Sequence, residues 1–393
     1  MRTVLKGGTI LDPVGERAIA GSLVIEDDKI GGVADQRTGP DTNVLDVTGR
    51  FLLPGFVNCH AHIGWDGRRD LQLQAELPDE VTSWTAAMNI HHTLSAGITT
   101  IRDLGMNGTS SLAKRAIGEG MAPYLRLITN GRAISTTGGH TWWCCRQADG
   151  VNDCRRAVRE QAKAGASWIK IMACHDLVQF TTSELEALVD EAHANGLKAT
   201  AHATFDTAIR RVVEAGVDCV EHGGSMSEKT IALMLARRTW LVTTFSPLVL
   251  QAERGLAYGM PEEEVTRRRH QIAEPDRFAG NRAAAEAGIP VAFGTDAGSP
   301  AVPHNEIVPE LKFMVSAGVC KDAWSAIRSI TIRGAELLGL ESTLGTLEPG
   351  KTADVVIVEG NPLDDLENLL RVNSVYVIGK LAFGSGGGYA QVW

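Results

Sequence analysis

Apolar and polar positions follow two different rhythms along this chain of 393 residues. Near the start, "TVLKGGTILDP", "AGSLVIEDDKIGGV" and "NVLDVTGRFLLPG" set short runs of Val, Ile and Leu between Gly, Asp and Pro. That pattern predicts short antiparallel strands joined by tight turns. "LGTLEPGKTADVVIVEG" and "VNSVYVIGKLAFG" repeat the style near the other end. Between them the apolar runs are longer and more continuous, and each is followed by a segment with helical spacing. Strands are predicted near 55–60, 98–102, 124–131, 167–172, 197–202, 217–222, 240–244 and 289–295, and helices include 153–166 and 182–196. The second helix opens Thr182-Ser183-Glu184 with acids in its first turn and closes on Gly196, as the helix dipole and the left-handed cap favour.

Eight strand–helix units with strands apolar on both faces imply an α/β fold: a (β/α)8 TIM barrel over residues 54–345. The ends, 1–53 and 346–393, lie outside it and share a style that the middle does not. A doubly wound open sheet is the alternative, but no GxGxxG opens the first unit.

Active sites in such barrels lie at the C-terminal ends of the strands. Read in order, those ends carry His60 and His62, Arg102-Asp103, Lys170, His202, His222, Thr243-Thr244 and Asp296. Five ends therefore bring four histidines, a lysine and an aspartate toward one place. In "CHAH" the two rings are two residues apart, on one face of an extended segment, which suits two imidazoles on one ion. In "WIKIM" Lys170 is embedded in an apolar strand, where an ammonium needs a partner. Asp103 and Glu221 are candidates for an ion pair. The alternative is that a desolvated, neutral amine reacts with carbon dioxide to give an anionic carbamate able to bridge two cations.

Composition narrows the partners. A net charge of −9 without a basic run argues against nucleic acid, because phosphate binding needs a clustered positive field. No stretch approaches the roughly 20 apolar residues of a membrane span. The N-terminal "MRTVLKGGTILD" lacks the apolar core of a signal peptide. Seven cysteines without CxxC spacing fit reduced thiols, hence a cytoplasmic protein. The adjacent Cys144-Cys145 pair is read as two small loop residues before it is read as a reactive pair.

Taken together, "LLPGFVNCHAH" (52–62), "LSAGITTIRDLG" (94–105), "ISTTGGH" (134–140), "WIKIM" (168–172), "TAHA" (200–203), "VEHGG" (220–224), "FGTDAG" (293–298) and "GTLEPGKTADVVIV" (345–358) resemble the amidohydrolase superfamily. Within it the chain looks most like the branch of imidazolonepropionase and Xaa-Pro dipeptidases. The resemblance implies that His60, His62 and Asp296 bind a buried divalent ion, His202 and His222 bind a more exposed one, and carbamylated Lys170 bridges them, with zinc the expected metal. It implies that the ends 1–53 and 346–393 join into one small β-sandwich, and that His140 contacts the substrate near the scissile group. It also implies hydrolysis of an amide in a small molecule such as an N-acyl amino acid or dipeptide, with Asp296 moving the proton, and a homo-oligomeric assembly. Lactam, carbamate and ester hydrolysis are alternatives on the same centre.

The sequence departs from that branch in two loops. "ACHD" places Cys174, His175 and Asp176 after the lysine strand, and "HTWWCC" places Trp142 and Trp143 after His140. Trp142, Trp143 and His175 are therefore candidate substrate contacts, with Trp65 a further candidate, and the tryptophans suggest an apolar or aromatic group. Arg102 and the "RRDLQ" run (68–72) are candidate carboxylate binders. Mononuclear deaminases of the same fold carry a glutamate shortly after the strand-five histidine; here "HATFDTAIRR" offers Asp206. A barrel without catalysis would lack ligands, and none is lacking.

Overall fold

The computed structural model describes residues 1–33, 42–68, 70–105, 108–274 and 276–384. Its two ends meet in one eight-stranded sheet. Arg2–Asp12, Arg17–Glu26, Lys29–Val33, Thr42–Asp46 and Arg50–Pro54 come from one end, and Val355–Glu359, Val372–Val377 and Lys380–Gly384 from the other. The seam is antiparallel, with Val355 opposite Pro54 and Glu359 opposite Arg50. Period-two alternation explains why it forms. Leu52, Val355, Ile357 and Tyr376 point into a small core with Leu5, Ile10, Leu23 and Ile25. Their neighbours Leu53, Val356, Val358, Val375 and Val377 point the other way, into the large core shared with the barrel. Each strand thus serves two cores at once.

The barrel consists of Phe56–Ala61, Ile98–Asp103, Arg126–Thr129, Trp168–Met172, Lys198–Ala203, Cys219–His222, Trp240–Val242 and Val291–Ala292, paired in parallel. Two joints close it. Ser167 N donates to Thr129 O at 2.8 Å between the third and fourth strands, and Cys59 N donates to Phe293 O at 2.9 Å between the first and eighth. The helix after the lysine strand runs Thr182–Ala194, with Thr181 and Glu184 forming a capping box and Gly196 left-handed at φ 71° just beyond it, as its sequence foretold.

Two departures from the expected pattern shape the site. The eighth strand is regular only over Val291–Ala292; the rest of "FGTDAG" swings across to the first strand, where Asp296 N donates to His60 O at 2.8 Å. This close approach requires Gly294, where a Cβ would lie 2.7 Å from the His60 Cβ and 2.5 Å from Val242. Secondly, the seventh and eighth strands are joined by three helices, Ser246–Arg254, Glu262–Ala273 and Ala279–Glu286. Among the described residues no helix is long and apolar enough to cross a membrane.

Candidate metal centre and substrate cavity

The first-strand histidines and Asp296 converge. His62 Nε2 lies 2.9 Å and His60 Nε2 3.4 Å from Asp296 Oδ1, and the three residues offer donor atoms all within 4.8 Å of one another. Donors sharing one tetrahedral ion at bond lengths of 2.0–2.1 Å sit roughly 3.3 Å apart, so this trio fits a divalent cation. Both rings are oriented from behind. His60 Nδ1 is 2.7 Å from Glu221 Oε2, and His62 Nδ1 is 2.8 Å from Gly105 O, so Nε2 faces the ion position in each. The carboxylate of Asp103 supports this wall through the backbone N–H groups of Ile63 and Gly105, at 2.6 and 2.8 Å.

His202 and His222 lie beside the trio, their ring centres 4.4 Å apart, with His222 4.9 Å from His60. His222 Nδ1 is 2.6 Å from Thr244 Oγ1. His140 stacks on the far side of His202 at 4.4 Å. Burial, reinforced by neighbouring positive charge, pushes both His202 and His222 well below the ordinary histidine range, and it pushes His140 down to about 4. Burial alone would raise Asp296, but His60 and His62 hold it well below the usual carboxylate range. Neutral rings at His202 and His222 and an ionised carboxylate at Asp296 are the forms in which such side chains coordinate cations, while at His62 the effect of burial is outweighed by Asp296, which raises the pKa.

Lys170 is 2% exposed, and burial lowers its pKa. Neither expected counter-ion reaches it. Asp103 is occupied by backbone N–H groups, and Glu221 by His60, by Arg102 Nη2 at 2.6 Å and by Thr200 Oγ1. Among the described residues the amine forms no hydrogen bond or ion pair, and it opens into the same cavity as the four histidines. Arg102 does meet a carboxylate, but that of Glu221 beneath the site, stacked over the Trp168 ring at 4.6 Å. It is fully buried and serves as scaffold.

Backbone strain gathers at the same place. Four of the nine non-glycine residues with positive φ among the described residues line the cavity: Thr141, His222, Thr244 and Asp296. Each such conformation costs of order 1–3 kcal/mol and persists where surrounding structure enforces it.

The cavity above these groups measures about 660 Å³. His140 and Trp65 line it. Trp143 stands one layer back, stacked on Trp65 at 5.8 Å, and Trp142 is 45% exposed; neither is among the cavity-lining residues. His175 is a solvent-exposed ring 5.1 Å from His140, 3.2 Å from Asp176. Cys144 and Cys145 are buried behind Trp65 with Met172. In the "RRDLQ" run Arg68 pairs with Asp66 at 2.7 Å, Leu71 lines the cavity, and Arg69 lies outside the described residues. The opposite wall was not anticipated from sequence: Phe245, Met260, Arg268 and Phe278 come from the three-helix insertion after the seventh strand. A segment nearly fifty residues long where one helix was expected was the available signal.

A barrel with converging histidines, aspartate and buried lysine at its strand ends defines a class of hydrolase, and the amidohydrolase family model matches residues 51–382; the chain belongs to that family. Among curated relatives it is similar to the ochratoxinase of Aspergillus niger, 27% identical over 98% of this chain and 87% of the other. Among solved structures it is similar to a Xaa-Pro dipeptidase with methionine bound in its active site (TM-score 0.87, 29% identity, 98% and 100% coverage). It is equally similar to a prolidase complexed with N-methylphosphonate-L-proline (TM-score 0.87, 29% identity, 97% and 99% coverage). The Xaa-Pro dipeptidase branch suggested by the motifs is the one these structures occupy, and the chain is a hydrolase.

Proposed function

We propose that this hydrolase cleaves the amide bond of an N-acyl amino acid or dipeptide-like small molecule at a binuclear metal centre. His60, His62 and Asp296 hold one ion and His202 and His222 the other. Lys170, if its neutral amine adds carbon dioxide and releases a proton to form a carbamate, would supply an anionic ligand between the two donor sets. The observation that carries this reading is the buried, partnerless Lys170 beside five converging donors. Divalent ions held there, zinc being the metal proposed, supply Lewis acidity that acidifies water and polarises a carbonyl.

The chain's own groups divide the remaining work. Asp296 takes the proton of the attacking water and returns it to the leaving nitrogen. His140, neutral at physiological pH, donates its N–H to the oxygen that becomes negative, a contribution of about 3 kcal/mol in comparable sites. Trp65 bounds the apolar part of the cavity and excludes water from it. His175, Trp143 and Trp142 act on the substrate from the rim and through Trp65. A cytoplasmic homo-oligomer acting on small molecules, without nucleic-acid or membrane partners, completes the proposal.

The test is a panel of N-acyl-L-amino acids and dipeptides given to zinc-loaded protein, with metal content measured alongside and Lys170→Ala as the blank. Two ions per chain and a hydrolysed substrate, both lost in Lys170→Ala, are expected. Two ions with no amide hydrolysed would move the search to lactams, carbamates and esters. Full activity and full metal content in Lys170→Ala would remove the carbamate.

A further inference from the structure

The insertion after the seventh barrel strand places a guanidinium in the cavity wall opposite the metal donors. Arg268, on the helix Glu262–Ala273, is half-buried and lines the same cavity as His60, His140, Lys170 and Asp296. Its partners are neutral. Nε donates to Gln251 Oε1 at 2.8 Å and Nη1 to Gln271 Oε1 at 3.1 Å. Gln251 is itself buried and donates to Pro300 O at 3.1 Å. Pro300 follows Ser299, whose N–H is 3.1 Å from Asp296 O. A short chain of hydrogen bonds therefore ties the guanidinium to the loop that carries Asp296.

The contrast with a neighbour is informative. Arg254, on the preceding helix, is paired with Glu306 at 2.9 Å. Arg268 has no such carboxylate among the described residues, and burial together with the nearby cations Arg267 and Arg277 lowers its pKa, with Glu264 acting the other way. The acids that do line this wall, Glu264, Glu274 and Asp276, are exposed, and Glu274 is 3.6 Å from Arg277. Partial burial of a cation against two amides is unfavourable unless an anion completes it. Nη2 and the second hydrogen of Nη1 form the end-on fork that matches a carboxylate bidentately.

We propose that Arg268 anchors the free carboxylate of the substrate, making an anionic group on the amino-acid portion a requirement of this cavity, with Gln251 positioning the fork. The proposal rests on the reading of the site as one for N-acyl amino acids. Apolar walls from Phe245, Met260 and Phe278 flank the anchor, so the favoured acid carries an apolar side chain.

The experiment measures binding by calorimetry of N-acetyl-L-phenylalanine and its carboxamide to the zinc-loaded protein, to Arg268→Gln and to Gln251→Glu. Wild-type protein should prefer the acid by about 10- to 100-fold, the range of a charge-assisted pair. The preference should fall to near one in Arg268→Gln. It should also fall in Gln251→Glu, which keeps the arginine but supplies an internal counter-ion. No preference in the wild type, or one retained in Arg268→Gln, would overturn the anchor. Turnover of both compounds separates this from the hydrolytic reading. A preference lost with Arg268 in a protein that cleaves neither leaves the anchor and removes the amidase; equal cleavage of both does the reverse.

Discussion

The two histidine pairs of the proposed metal centre are held differently. On one side His60 and His62 are almost wholly buried, and each Nδ1 is fixed by a partner in the barrel interior, Glu221 for one and the Gly105 carbonyl for the other. On the other side His202 and His222 are partly buried; His222 leans on a single hydroxyl, Thr244, and His202 is flanked by the rings of His140 and His222. The first half is oriented before any ion arrives. The second is less constrained in the cavity that both pairs line, where in the proposed function an ion would also meet substrate. In the proposed centre, preorganisation would serve affinity for the first ion and freedom would serve the reaction at the second.

The comparison can be broken most forcefully at Asp296, which in the proposed centre both holds the first ion and takes the proton of the attacking water. Asp296→Asn keeps the shape but removes the proton acceptor, and kcat should fall by about 10²- to 10⁴-fold; stopped or continuous assays at matched metal content will read it. A loss confined to KM would reassign Asp296 to structure. Next is the support beneath the tight half. Glu221→Gln leaves Arg102 buried without its counter-charge, and stability should drop by about 3–5 kcal/mol, seen as a lower midpoint in chemical denaturation. An unchanged midpoint would mean that the Cys59 carbonyl and the Cys219 sulfur suffice around Arg102.

A third prediction concerns His304, which is 2% exposed and sits 3.0 Å from the Trp65 carbonyl. Burial holds it at about 4, below the histidine value of 6.5 in an unfolded chain. The unfolded chain therefore takes up this proton first. Stability from this group is complete above pH 6.5 and declines toward pH 4, by about 3 kcal/mol in total. Denaturation midpoints across that window should fall less steeply in His304→Gln than in the wild type; parallel profiles would reject the assignment. The smallest effect is expected on the loose half. Thr244→Val should weaken the second ion by about 10- to 100-fold and leave the first in place, as counted by metal analysis during chelator titration. Simultaneous loss of both ions would show the halves to be one cooperative unit.

Much of this site was legible in the chain itself, because a parallel barrel turns strand ends into neighbours. Once eight apolar runs are recognised, the residues that close them, His60, His62, Lys170, His202, His222 and Asp296, need no further information to be placed together. The second sphere was less legible. Glu221 looked like a possible partner of Lys170, yet its oxygens go to His60, Arg102 and Thr200, a choice made by side-chain reach within the packed interior. Trp142 and Trp143 follow His140 directly, but the turn through Thr141 at φ 49° leaves one exposed and the other behind Trp65.

What the sequence by itself determined is the periodic framework: alternating positions that give each terminal strand two faces to bury, apolar runs that make a parallel barrel, and ligand-type residues at the ends of those runs. Local spacing encodes all of these, since period and strand end are properties of consecutive residues. Only the tertiary structure decided that Lys170 forms no ion pair among the described residues, that Asp296 crosses to the first strand over Gly294, and that Arg268 faces the cavity beside two glutamines. Those are matters of distance between residues tens to hundreds of positions apart, and they are settled by packing rather than by spacing along the chain.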